Sequence, residues 1–215
     1  MIREVAEVEG LEFISLNAPP GDLSSGDFGI AALPERWDET RDGLLEAIAY
    51  AKAAGAGFIH VLPGKASGPR AHAAFVRALA FACDRAEPLG LKVLIEPING
   101  HDVPGYFLQS CEQAREIIEE VNRPVLRLMF DSYHMGRIGV DVIDALSRSI
   151  DLIGHIQFAS VPDRGPPQIG SSQFARLFEA IEDLGWSTPI GAEYRPPGET
   201  DDTLEWLRAY QQTQA

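Results

Sequence analysis

The sequence predicts an α/β fold, a parallel sheet whose strands are joined by crossover helices. Three observations predict it. Six short apolar runs alternate with six longer amphipathic stretches. Runs such as VLI (93–95) and LRLMF (126–130) are apolar on largely consecutive residues, the pattern of strands covered on both faces. Gly55, Gly90 and Gly185 each follow a helical stretch, where a left-handed C-cap is expected.

Taken in order, the strands are expected at residues 13–17, 58–62, 92–96, 125–131, 153–159 and 189–194, each a short run rich in branched and aromatic side chains. Helices are expected at 35–54, 71–89, 109–121, 140–150, 173–184 and 201–210, where apolar residues recur every three or four positions. There is no linker, low-complexity segment or fixed-period repeat, so one domain over 1–215 is the simplest organisation. The Gly/Pro-rich stretches 18–29 and 161–170 both follow a strand. In a barrel of alternating strands and helices, such loops lie on the face where active sites are built.

Composition narrows the partners. With 18 Lys and Arg against 32 Asp and Glu, the net charge is −14. A protein that grips nucleic acid neutralises phosphates with cations, and no basic cluster is present to do so. The charge fits a small-molecule substrate and a divalent cation. No apolar run approaches the ~20 residues that span a bilayer, and the acidic start MIREVAEVEG lacks a signal-peptide pattern. A cytoplasmic protein without a membrane partner is therefore expected. Cys83 and Cys111 show neither metal-ligand spacing nor a disulfide framework, and read as buried thiols.

Polar residues collect at the ends of the expected strands. Glu96 ends KVLIE and precedes Asn99; Asp131 ends LRLMFD, with His134 three residues on. Gln157 lies in IGHIQFA, with Arg164 in the loop beyond; Glu193 ends PIGAE; His60 lies inside FIHVL. A carboxylate buried at the end of an apolar strand is costly unless it is paired or bound to metal. If the strands close into a barrel, Glu96, Asp131, Gln157 and Glu193 present oxygens to one axis, and an oxygen-rich set suits Mg2+ or Mn2+ better than Zn2+. The alternative from spacing alone is a set of unrelated polar strand termini that cap neighbouring helices. Trp37, Trp186 and Trp206 read as packing residues, and His72 and His101 carry no functional reading.

The segments NAPPGD (17–22), GIAALPER (29–36), IEPING (95–100), VPGYFL (103–108), FDSYHMG (130–136), GHIQFASVPDR (154–164) and GAEYRP (191–196) resemble hydroxypyruvate isomerases and 2-oxo-tetronate isomerases, members of the xylose isomerase-like TIM barrel superfamily. The resemblance implies that barrel, here with about six of eight β/α units, and a homo-oligomer. It implies a divalent-metal-dependent aldose–ketose isomerase acting on a small hydroxy-keto acid or sugar. Residue by residue, it implies metal ligands at Glu96, Asp131, Gln157 and Glu193, and acid/base roles for Glu96 and Glu193. Substrate contacts are implied at His134 and Arg164, and by analogy at His60 and Asn99.

Two departures stand out against this pattern. Before Leu11 the chain offers only residues 2–10, like the tail of a second helix, where relatives begin with two further strand–helix units. A shortened product, an upstream start or a covering partner subunit would each account for it. After Arg164 the run Gly-Pro-Pro-Gln lacks the acidic residue usual there, and Ser160 stands where Asp is common, which bears on substrate more than on reaction type. The leading expectation is interconversion of hydroxypyruvate and tartronate semialdehyde; its rivals are a 2-oxo-tetronate isomerase or sugar 3-epimerase of the same superfamily, a multi-zinc abasic-site endonuclease of the same barrel, and a non-catalytic remnant or binding protein. Five histidines and the strong negative charge speak against the endonuclease.

Overall fold

A computed structural model of the chain describes residues 2–168 and 170–213. The ends of the expected domain, Met1 and residues 214–215, and Ile169 in the loop after Arg164, lie outside the described residues. Six strands form one sheet in chain order, with β1 (Ser15–Asn17), β2 (Phe58–His60), β3 (Lys92–Ile95), β4 (Leu126–Asp131), β5 (Ile153–Phe158) and β6 (Gly191–Ala192). The pairs β1–β2, β2–β3, β3–β4 and β5–β6 are parallel, as the apolar runs predict. The chain divides into two compact units, one ending at Leu128 and the other beginning at Met129, so β4 contributes residues to both.

The first unit opens with α1 (Ile2–Glu9), which buries none of its residues. Helix α2 (Trp37–Ala54) buries Leu44, Ala47, Ile48, Ala51 and Ala54, a stripe at three- and four-residue spacing. It ends at Gly55, which takes the left-handed conformation and bonds back to the Ala51 carbonyl. Helix α3 (Gly68–Ala86) packs against α2 and β3, burying Phe75, Ala78, Leu79 and Ala82. Small alanines bring the helices close, and each fully buried Phe or Leu contributes roughly 1.5–3 kcal/mol. The α3 path continues through a 3-10 turn, Glu87–Leu89, to Gly90, which caps it in the left-handed region. Helix α4 (Cys111–Val121) starts at Ser110, whose side chain accepts from the Gln113 N–H. Both cysteines are free and buried, and burial pushes the Cys83 thiol up to about 12.

The second unit holds a helix absent from the periodicity. Helix α5 (Ser132–Arg137) follows β4 directly, and its residues Ser132 to Met135 are buried. Asp131 starts it, accepting from the Tyr133 N–H at 2.9 Å. At six residues it is too short to show a 3.6-residue stripe, and the expected strand ends at Asp131 with no element assigned to 132–137. Helix α6 (Val142–Ser149) is capped by Asp141, which accepts from Ile143 and Asp144. Helices α7 (Ser172–Asp183) and α8 (Glu205–Thr213) follow β5 and β6. The core here is aromatic. Phe158 meets Phe174, Phe178 and Trp206 edge-on, with ring centroids 6.0, 5.1 and 5.6 Å away. No helix among the described residues is long and apolar enough to cross a membrane.

Candidate active site

In the first unit, the ends of β1, β2 and β3 bring Asn17, His60 and Glu96 together. His60 is the last residue of β2 and pairs in register with Asn17 of β1. Its Nδ1 lies 3.1 Å from Asn17 Oδ1, and its Nε2 lies 3.8 Å from Glu96 Oε2. Because the Asn17 oxygen accepts, Nδ1 carries the proton and Nε2 presents a lone pair. His60 and Glu96 are both buried. Burial drives the His60 pKa down to about 3, so the ring is neutral at ordinary pH.

Asn99 is fully buried, and its side-chain oxygen accepts from the His101 and Asp102 N–H groups at 3.1 and 2.9 Å. That is an Asx turn, and it commits this oxygen to shaping the loop after β3. The same loop carries a residue to which the sequence reading gave no role. Tyr106, from VPGYFL, is 1% exposed, and its hydroxyl has no hydrogen-bond partner. Burial, with the nearby Glu96 charge adding to it, raises its pKa well above the usual value. A tyrosine inside a buried apolar run was the one available signal, and it is ambiguous because tyrosine also serves as a packing residue.

In the second unit, Asp131 ends β4 and is fully shielded from solvent. His134, on α5, places Nε2 3.7 Å from Asp131 Oδ2 and packs its ring edge against Tyr133. Arg164 sits in the loop after β5 with φ +55°, a left-handed conformation unusual outside glycine. Its Nη2 lies 2.5 Å from Glu193 Oε2 and 3.6 Å from Asp131 Oδ2. Its Nε donates to the Glu193 carbonyl, its own carbonyl accepts from the Arg195 N–H, and its guanidinium lies 5.2 Å from the Tyr133 ring centroid. One cation therefore faces two carboxylates.

Gln157 lies next to last in β5, and its Oε1 is buried without a hydrogen-bond donor. A buried amide oxygen left unmatched costs about 1–3 kcal/mol, which an electropositive ligand would recover. His155, two residues earlier, is buried and its pKa is lowered by desolvation. Glu193 is the exception among the expected carboxylates. Its side chain is 50% exposed, because β6 is only two residues long and is the last strand of the sheet. Each unit thus gathers its own share of the expected residues: His60, Glu96 and Asn99 in the first, Asp131, His134, Gln157, Arg164 and Glu193 in the second.

Comparison with known proteins places the chain among isomerase relatives. The chain is 40% identical over 213 residues to the 2-oxo-tetronate isomerase of Cupriavidus necator, a match spanning 97% of this chain and 82% of that protein. It is 36% identical over 213 residues to the hydroxypyruvate isomerase of Escherichia coli, covering 97% of this chain and 83% of the relative. Among solved structures it resembles one described as an AP endonuclease, family 2, from Brucella melitensis, with TM-score 0.92, 32% identity, and coverage of 97% of this chain and 82% of that one. The family model for the xylose isomerase-like TIM barrel matches residues 1–210, and the chain belongs to that family.

Proposed function

We propose that the chain, as a single barrel domain over residues 1–215, is a divalent-metal-dependent aldose–ketose isomerase. Its substrate is a small hydroxy-keto acid, with hydroxypyruvate and tartronate semialdehyde as the interconverted pair. The observation that carries this is the Arg164 guanidinium set against Asp131 and Glu193. Asp131 and Glu193 each carry charged oxygens of the kind a hard divalent cation takes as ligands, and a guanidinium is a bidentate partner for a substrate carboxylate. The names of the two isomerase relatives support the reaction class.

The ligands would be Glu96, Asp131, Gln157 and Glu193. Their oxygens suit Mg2+ or Mn2+, and the donorless Gln157 Oε1 fits that assignment. An ion held by these residues would supply a Lewis acid that stabilises negative charge developing on the substrate. The chain's own residues divide the remaining work. One of Glu96 and Glu193 removes a proton from the hydroxymethyl carbon of hydroxypyruvate, and the electron pair becomes the double bond of an enediolate. The other returns a proton to the neighbouring carbon, while the hydroxyl proton passes to the former carbonyl oxygen, so atoms and charge balance. Arg164 and His134 hold the substrate carboxylate and oxygens. His60, neutral and buried, helps exclude water, and Asn99 shapes the loop after β3.

We further propose that the protein acts in the cytoplasm as a homo-oligomer, without nucleic-acid or membrane partners. The face of α1 supports self-association, since Ile2, Val5 and Val8 are all exposed there. Light scattering that returns a 23.5 kDa particle would refute it. DNA cleavage is disfavoured by the charge of −14.

The test is turnover. Purified protein with Mg2+ or Mn2+ should convert hydroxypyruvate to tartronate semialdehyde, followed by proton NMR. Glu96→Gln and Glu193→Gln should each lose about 10²–10⁴-fold in kcat with the fold retained. Preference for 2-oxo-tetronate or a ketose in the same panel would reassign the substrate, and absence of turnover with every substrate and metal would sink the isomerase reading.

A further inference from the structure

We propose that Tyr106 and His60 together form a recognition site for a hydroxyl group of the ligand, with the Tyr106 hydroxyl donating to its oxygen and His60 Nε2 accepting its proton. The loop carrying Tyr106 is pinned from several sides. The Tyr106 N–H donates to the Val103 carbonyl at 3.1 Å, and the Tyr106 carbonyl accepts from Gln109 Nε2 at 2.8 Å. The following N–H, of Phe107, bonds the Gly64 carbonyl at 2.9 Å, and Phe28 packs edge-on against the Tyr106 ring at 5.9 Å. The ring is held in place while its hydroxyl, the one polar atom of the side chain, meets no acceptor. His60 is held in the same way by Asn17, and its Nε2 is likewise buried without a hydrogen-bond partner, with Glu96 Oε2 3.8 Å away.

A fold gains nothing from such atoms. Each buried polar group without a partner costs on the order of 1–3 kcal/mol, and phenylalanine at 106 would avoid that cost. The two unmatched atoms are complementary, one a donor and the other an acceptor; Glu96 Oε2 lies 3.8 Å from His60 Nε2, and the Glu96 charge also acts on Tyr106. A carbonyl oxygen satisfies only the donor, whereas a hydroxyl satisfies both. We take the hydroxyl to be that of the hydroxy-keto acid, and for that identity we rest on the isomerase reading.

The experiment compares tartronate with malonate, which share two carboxylates and differ by one hydroxyl. Binding is read by calorimetry on the wild type and on Tyr106→Phe, both with Mg2+, and melting temperature is recorded alongside. The wild type should prefer tartronate by at least ~10-fold, about the worth of one buried hydrogen bond. Tyr106→Phe should cut that preference to what the His60 contact alone supplies, while keeping or raising the melting temperature. With hydroxypyruvate, the variant should raise KM at least as strongly as it lowers kcat. Three results would overturn the proposal: a wild type that does not favour tartronate, a preference undiminished in Tyr106→Phe, or a variant that melts several degrees lower or fails to fold, which would make the hydroxyl structural. Absence of turnover by the wild type with every substrate and metal, with the tartronate preference intact, would reject the isomerase reading and leave the hydroxyl site standing.

Discussion

Arg164 and Glu193 are joined twice, through Nη2 to the carboxylate at 2.5 Å and through Nε to the backbone carbonyl at 3.3 Å. The same nitrogen that holds the Glu193 side chain lies 3.6 Å from Asp131. This clamp fixes the loop after β5 against the end of β6 and aims a guanidinium at the acidic end of β4. Arg164→Lys keeps the charge but loses the fork that grips two oxygens at once. We expect it to raise KM for hydroxypyruvate by about tenfold or more, the effect of one charge-assisted hydrogen bond, and to affect a neutral ketose much less. Steady-state kinetics on the two substrates check this, and equal losses on both would show that Arg164 serves the loop and not the substrate carboxylate.

Gly64 locks the loops after β1 and β2. It has φ +92°, and a methyl group there would collide with the Gly29 carbonyl oxygen. Gly29, with φ +100°, has no room either, since its added carbon would meet the Leu62 carbonyl at 2.5 Å. Both obstacles are backbone and cannot rotate away. Gly64→Ala is expected to destabilise the protein by more than about 2 kcal/mol, from the combined left-handed backbone and overlap. Its chemical denaturation midpoint should fall accordingly. Because the Gly64 carbonyl also holds the Phe107 N–H, the variant should loosen the loop of Tyr106. An unchanged midpoint would mean that the two loops separate without cost.

The pH dependence of stability follows from His60. Its pKa is lowered by burial from 6.5 to about 3 in the folded chain. Between those values the unfolded chain binds a proton at this residue and the folded chain does not. The stability is therefore fully present above about pH 6.5 and declines as pH falls toward 3, by at most about 1.4 kcal/mol per unit. His155, also lowered by burial, adds a slope of the same sign. Melting temperatures from pH 7.5 to 5 should fall more steeply for the wild type than for His60→Gln. Parallel curves would show that His60 is protonated in the folded state.

Most of the architecture was legible because its signals are local. The strands at Phe58–His60, Lys92–Ile95 and Leu126–Asp131 fall inside the expected runs, and α2 ends at the predicted Gly55. Helix α5 was missed because six residues cannot display a helical period and Asp131 looks like a strand terminus while acting as a cap. The carboxylates were legible as costly residues at the ends of apolar strands. Glu96 and Asp131 are buried accordingly, but Glu193 is half exposed because the short β6 has little sheet to bury it. Asn99 was legible as polar but not as a loop-former, since its partners are backbone N–H groups of residues two and three positions on. Tyr106 was legible only as an ambiguous tyrosine in an apolar run, because an unmatched hydroxyl is a property of three-dimensional surroundings.

The most direct measurement is calorimetric titration of the metal-free protein with Mn2+. We predict one ion per chain for the wild type, lost in Asp131→Asn and weakened at least tenfold in Glu96→Gln, since each variant removes one charged oxygen donor. Wild-type protein that takes up no Mn2+, or variants that bind it as the wild type does, would contradict a shared ion held by Glu96, Asp131, Gln157 and Glu193.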